Sequence, residues 1–277
     1  MVEKELSMGS YKKIICAICL FVILAAIGFF TFFSPKAPKE VPSDRPVIMI
    51  GCDDYSPFTY RDVDGNMKGI DVEIATEAFH RMGYEPKFVF INWEDKRFLL
   101  MNKKIDCIWS SFTMNGREKE YQWAGPYMKS HQVIAVNSES NIQQLSDLEG
   151  KVIAVQSSTK PEDIFRHHGE GIPHFRRILS MKNRDLLFTF LKKGYVDAIA
   201  AHDTSIDQFM ADFGVTYRIL DVPLLTVGLG VAFDNQDERG LHTELTSTLQ
   251  DMQKDGTIEK IIGKYLPHPK YYLEDWQ

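Results

Sequence analysis

Cysteine is scarce: four in 277 residues cannot staple a chain of this length, which sets aside the disulfide-scaffold class. Basic residues are not in excess either, with 32 Lys and Arg against 38 Asp and Glu and a formal charge of −6. A surface that grips nucleic-acid phosphates carries the opposite balance, so that partner is excluded. Glycine (18) and proline (12) are neither abundant nor periodic, so collagen-like and disordered classes drop out. The short catalytic signatures are also missing. There is no G-x-S-x-G, no H-E-x-x-H, no P-loop, and no C-x-x-C outside one apolar run. His167-His168 has no further ligands in sequence and reads as solvated surface rather than a metal site. No nucleophile is assembled with a base, so the chain reads as a non-enzyme without cofactor or metal. What remains is ordinary globular composition, 44% apolar and 25% charged, long enough for one large domain or two of about 100–130 residues.

The first 45 residues differ from the rest. Lys12 and Lys13 precede an uncharged run at 14–33, IICAICLFVILAAIGFFTFF. As a helix rising about 1.5 Å per residue, it matches the roughly 30 Å hydrocarbon core of a bilayer. A buried core helix would keep a polar stripe, and this run has none. A cleaved signal segment and an uncleaved anchor both remain open. The bulky end (Phe29, Phe30, Phe32, Phe33) and the Pro38 after Ala37 favour the anchor. Cys16 and Cys19 read as small apolar residues of that helix. The flanking lysines put residues 1–13 in the cytoplasm and everything after Phe33 outside. The Pro/Lys/Glu-rich stretch 34–46 reads as a stiff tether.

Beyond it, strand-like and helix-like patterns alternate. Residues 47–52 read as a buried strand, Asp64-Gly65-Asn66 as a hairpin turn, and the spacing of Ile70, Ile74, Ala78, Phe79 and Met82 as a helix closed by Gly83. Strands follow at 87–91 and 105–109, with a short helix at 94–102 between them. A second series places strands at 132–136, 152–155, 175–178, 197–201 and 217–220, interleaved with helices at 161–168, 182–193 and 205–213. The chain returns through 229–233 and ends in helices at 241–254 and 258–265. The alternation predicts parallel pairing with right-handed crossovers, in two α/β units facing a cleft. Cys52 and Cys107 read as buried small residues on strands, with their pairing left open.

Polar and aromatic groups gather at the C-terminal ends of these strands, where open α/β sheets bind ligands. They are Asp53 and Tyr55, then Ser110, Ser111 and Thr113, then Ser157, Ser158 and Thr159 opening a helix. Singly, each is as well explained as a turn or cap residue. Together, hydroxyls and helix-start N–H groups suit a carboxylate.

The stretches DDYSPFTY (53–60) and GNMKGIDVEIATEA (65–78) resemble the opening of the type II periplasmic amino-acid-binding proteins, solute-binding protein family 3. KKIDCIWSSFTMNGREKEYQWAGPY (103–127), LSDLEGKVIAVQSST (145–159), KKGYVDAI (192–199) and QKDGTIEKIIGKY (253–265) continue the resemblance in family order. It implies a two-lobe α/β flytrap with two hinge crossovers, lobe 1 at 45–132 and 229–268, lobe 2 at 136–225, and a tail at 269–277. It also implies that Arg117 grips the ligand carboxylate as a bidentate fork, with Ser110, Ser111, Thr113, Ser158 and Thr159 adding donors. Asp203 would take the ammonium, with His202 as the alternative facing the cleft. Tyr55 and Trp93 would be aromatic walls, and Asp53 would shape the side-chain pocket. Gly228 and Gly230 lie where the hinge would have to rotate. The implied function is capture of a free amino acid by a monomeric, membrane-tethered receptor and delivery to the permease of an ABC importer. A sensing subunit and a dehydratase-like enzyme on the same fold are the competing functions.

Overall fold

The computed structural model describes residues 44–167, 169 and 171–273. The apolar run 14–33, nearly all of the tether, His168 and residues 274–277 lie outside the described residues, so expectations about them are not addressed. Among the described residues no helix is long and apolar enough to cross a membrane. The described residues from Arg45 onward form one compact unit.

The first strand, β1 (Val47–Cys52), alternates Ile48 and Ile50 into a core that also buries its last residues. A short hairpin, β2 (Tyr60–Arg61) with β3 (Met67–Lys68), turns at Gly65, whose φ of 84° suits a residue without Cβ. Helix α1 (Ile70–Arg81) starts with Asp71 and Glu73 and ends with His80 and Arg81, which complements its dipole. Its Ile70, Ile74 and Phe79 are fully buried, each contributing roughly 1.5–3 kcal/mol. Next come β4 (Glu85–Phe90), a 3-10 turn at Trp93–Asp95, α2 (Lys96–Met101) and β5 (Cys107–Thr113), buried along its whole length.

A 16-residue strand, β6 (Gln122–Asn137), then carries the chain into the second half of the sheet. There lie β7 (Val152–Gln156), α3 (Lys160–Arg166), β8 (Arg177–Met181), α4 (Asp185–Lys192), β9 (Ala198–His202), α5 (Asp203–Phe213) and β10 (Tyr217–Ile219). The chain returns along β11 (Leu225–Phe233) to α6 (Leu241–Lys254) and α7 (Thr257–Ile262).

All nine longer strands form one sheet in the order β4-β1-β5-β11-β6-β9-β7-β8, with β10 also on β6. The predicted parallel pairing holds within each half, for β1 with β4 and β5 and for β7 with β8 and β9. It fails at the centre. There β11 runs antiparallel to both β5 and β6, and β6 antiparallel to β9, because two long strands pass between the halves in opposite directions. Sequence periodicity marks only the C-terminal parts of β6 and β11, at 132–136 and 229–233; their N-terminal parts, 122–131 and 225–228, go unmarked.

Each half has its own core. One gathers Ile50, Phe79, Trp109, Leu229 and Leu245. The other half packs Ala154, Leu187, Ile199 and Ile206 on one face of its strands and Val155, Phe165 and Ala198 on the other. Close packing at Gly230 leaves no room for a side chain. A Cβ there would stand 2.6 Å from the Met114 sulfur and 3.0 Å from the Ala124 carbonyl oxygen. Cys52 and Cys107 are free and buried, and burial raises both thiol pKa values.

Candidate functional site

The C-terminal ends of β5, β7 and β9 face one another across a narrow cavity of about 20 Å3. Trp93, Ser110, Ser111, Phe112, Thr113 and Arg117 line it from the first half of the sheet. Gln156, Ser158, Thr159, Lys160, Arg184 and His202 line it from the second, with Gln132 on the connecting strand.

Arg117 reaches the wall because a turn closes behind it: its N–H bonds to the Met114 carbonyl at 2.9 Å, and Gly116 takes φ 74°. Its guanidinium lies 5.1 Å above the Phe112 ring, and one η nitrogen donates to the Thr113 carbonyl at 3.3 Å. Among the described residues no carboxylate pairs with it, and burial works against its charge. Lys96 stands close by, held 4.8 Å over the Trp93 ring. Its ammonium donates only to backbone carbonyls, those of Trp93 and Ser158, both at 3.1 Å. Burial first, then the Arg117 charge, push its pKa down to about 7. Two buried cations without a counter-ion form an anion site.

The serines divide by role. Ser111 adopts φ 44°, held there by its N–H bond to Asp71 at 2.6 Å, and its buried hydroxyl has no partner. Asp71 also accepts from the Tyr127 hydroxyl at 2.7 Å, and burial raises its pKa to about 7. Ser110 is already occupied, accepting the Asp53 N–H and bonding to Thr59, both at 3.1 Å. At the start of α3, the Ser158 N–H goes to Glu162 and the Thr159 hydroxyl to the Gln156 carbonyl. These groups shape the wall more than they offer free donors.

Three expected residues lie off the wall. Asp203, the first residue of α5, points its carboxylate to His131 at 3.0 Å and accepts the Thr204 N–H at 2.8 Å. Burial opposes its ionisation, but these bonds outweigh it and hold its carboxyl below the usual range. His202, one residue earlier, takes the cavity position. Its ring bonds Ser130 at 2.8 Å and Gln132 at 2.9 Å, while its backbone N–H donates to the Tyr55 hydroxyl at 3.1 Å. Burial, then the Arg184 charge, lower its pKa to about 3, so the imidazole is neutral.

Tyr55 and Asp53 are covered rather than exposed to the cavity. The Arg184 guanidinium sits 3.2 Å above the centre of the Tyr55 ring, and its Nε donates to Asp53 at 3.2 Å. Gln156 donates to the same Asp53 oxygen at 2.6 Å.

Of the residues singled out from sequence, Trp93, Ser110, Ser111, Thr113, Arg117, Ser158 and Thr159 all lie on this one wall. It passed over Lys96, Gln132, Gln156 and Arg184. Gln156 had a signal, since it ends β7 directly before the serine run. Lys96 and Arg184 begin helices and carry no distinguishing pattern. Further bonds join the halves: Lys182 to Glu94 at 2.8 Å and the Ser205 hydroxyl to the Ser56 carbonyl at 2.7 Å.

The family model described as bacterial extracellular solute-binding proteins, family 3, matches residues 47–268. The arginine-binding extracellular protein ArtP of Bacillus subtilis is 26% identical over 267 residues, 95% of this chain and 100% of that protein. The histidine-binding periplasmic protein of Salmonella typhimurium is 28% identical over 237 residues, 81% of this chain and 89% of that one. Among solved structures, Tv2483 bound to L-arginine superposes with a TM-score of 0.73 at 27% identity, covering 79% of this chain and 90% of Tv2483.

Proposed function

Because the chain belongs to the bacterial extracellular solute-binding proteins of family 3, we propose that it captures one free amino acid between the two halves of its sheet and delivers it to the permease of an ABC importer. The observation that carries this is Arg117, a buried guanidinium on the cavity wall with no carboxylate partner among the described residues. A planar fork over Phe112 suits a carboxylate bound side-on. The unpartnered Ser111 hydroxyl adds a donor near it.

The two halves act as lobes. The strands β6 and β11 are the two crossovers, and a ligand bridging the wall stabilises the closed arrangement by its greater affinity for it. Relatives named for arginine and for histidine support an amino acid as the ligand class. The cavity favours binding over catalysis. No carboxylate lines the wall, and the Ser111 hydroxyl has no base within hydrogen-bonding reach, so no activated nucleophile is placed there. The receptor works as a monomer on the outer face of the cytoplasmic membrane, held by the apolar segment 14–33.

The test is calorimetric titration of the purified full-length protein with each of the twenty amino acids. One or a few should bind with micromolar or tighter dissociation constants. Heat from none of them would overturn the proposal.

A further inference from the structure

The cavity wall carries more positive charge than a neutral zwitterion can answer. Its charged side chains are Arg117, Lys160 and Arg184, and no Asp or Glu lines it. Lys160 is answered by Asp163 at 2.9 Å, outside the wall. Arg184 meets one carboxylate, that of Asp53, through Nε alone. Arg117 meets none among the described residues, and neither does Lys96 beside it.

Position matters as much as number. Arg184 lies flat on Tyr55 and against Asp53, and so fills the place where the aromatic face and acid would otherwise receive a cationic ligand side chain. A guanidinium or ammonium entering there would have to expel it and leave a buried charge unpaired. The two arginines also come from opposite halves of the sheet: Arg117 from the turn after β5, Arg184 from the start of α4. A ligand with two carboxylates can pair with both at once. For the ammonium of such a ligand the wall supplies neutral acceptors. The amide oxygens of Gln132 and Gln156 are buried and unpartnered.

We propose that the captured amino acid carries an acidic side chain, with its α-carboxylate on Arg117 and its side-chain carboxylate on Arg184, which sets specificity and excludes cationic amino acids. This rests on the amino-acid capture proposed above and names its substrate class. A charge-assisted hydrogen bond lost to an uncharged isostere in a dry site amounts to about tenfold or more in affinity.

The test uses the full-length protein titrated with L-aspartate, L-glutamate, L-asparagine, L-glutamine, L-arginine and L-histidine. One of the two acids should bind at least about tenfold tighter than its own amide and than either cationic amino acid. In Arg184→Met the acid-to-amide ratio should fall to near one, while Arg184→Lys, which keeps the charge, should retain part of it. A neutral or cationic amino acid binding tightest, or an acid-to-amide ratio unchanged in Arg184→Met, overturns this inference and leaves amino-acid capture standing. No binding by any of the twenty amino acids overturns the capture reading itself. The wild-type panel decides the matter even if Arg184→Met fails to fold.

Discussion

Replacing Arg117 by methionine separates a functional arginine from a structural one, because the two roles predict opposite effects on stability. In the ligand-free protein the guanidinium is buried, stacks at 5.1 Å on Phe112 and has a single hydrogen bond, to the Thr113 carbonyl. A structural arginine would be paired, and losing it would leave a buried carboxylate exposed to a cost of about 3–5 kcal/mol. Here no carboxylate is orphaned, and methionine fills much of the same apolar volume over the ring. The thermal midpoint without ligand should therefore hold or rise. Binding should behave in the reverse way. A ligand carboxylate brought into the cavity would lose its counter-ion, and the same 3–5 kcal/mol corresponds to roughly a 150- to 5,000-fold weaker dissociation constant. Calorimetry with the tightest amino acid of the wild-type panel, beside scanning calorimetry without ligand, measures both. If Arg117→Met bound that amino acid within fivefold of wild type, or unfolded several degrees lower, the assignment of Arg117 to the ligand would be wrong.

Asp203→Asn should leave the dissociation constant within about threefold, since that carboxylate faces His131 rather than the cavity; titration of the variant checks this. Lys96 gives a signed pH dependence. Its folded pKa of about 7 lies below the unfolded value of 10.5, so the unfolded chain binds more protons between these limits. Stability from this group therefore rises with pH from about 7 to 10, and Lys96→Met should flatten that slope in urea titrations. An anion in the site favours the charged lysine, so binding at pH 8 should take up close to one proton, read from calorimetry in buffers of different ionisation enthalpy. Gly230→Val should destabilise by about 1–3 kcal/mol through collision with Met114 and the Ala124 carbonyl, seen as a lower urea midpoint. Cys52 and Cys107 should stay unreactive to an aromatic disulfide reagent until the protein unfolds, because burial raises both thiol pKa values.

Most of the elements were legible from periodicity because each half buries a continuous apolar set, as Ile70, Ile74, Ala78 and Phe79 show on α1. The two long strands were legible only in their C-terminal parts. Pro126 and Lys129 sit in β6 and Thr226 in β11, so alternation there does not announce strand, and their pairing is fixed by partners distant in sequence. At the site, residues at strand ends were readable because position on a parallel strand fixes where the side chain goes. The cations from helix starts were not. Arg184 enters the cavity, and Lys96 comes to stand beside it, through a long, flexible side chain, and sequence spacing says nothing of that reach. The choice between His202 and Asp203 turned on one residue of strand length. A strand side chain alternates sides, so extending β9 through residue 202 carries the histidine into the cleft and leaves the aspartate to begin α5.

That one-residue placement links the electrostatics of the wall to the closing of the halves. With a carboxylate at the end of β9, the second half would bring negative charge to the cleft and could meet the ligand ammonium directly. With a neutral imidazole there, the second half contributes Lys160, which is paired with Asp163, and Arg184, whose Nε is tied across the cleft to Asp53. Ligand-free closure thus brings three basic groups, Lys96, Arg117 and Arg184, toward one another, with the Asp53 carboxylate bonded to Arg184 alone among them. Repulsion among like charges opposes that approach in a medium less polarisable than water, and an anion inserted between Arg117 and Arg184 removes it. The same excess of positive charge that selects an anionic ligand therefore makes the closed form depend on having captured one.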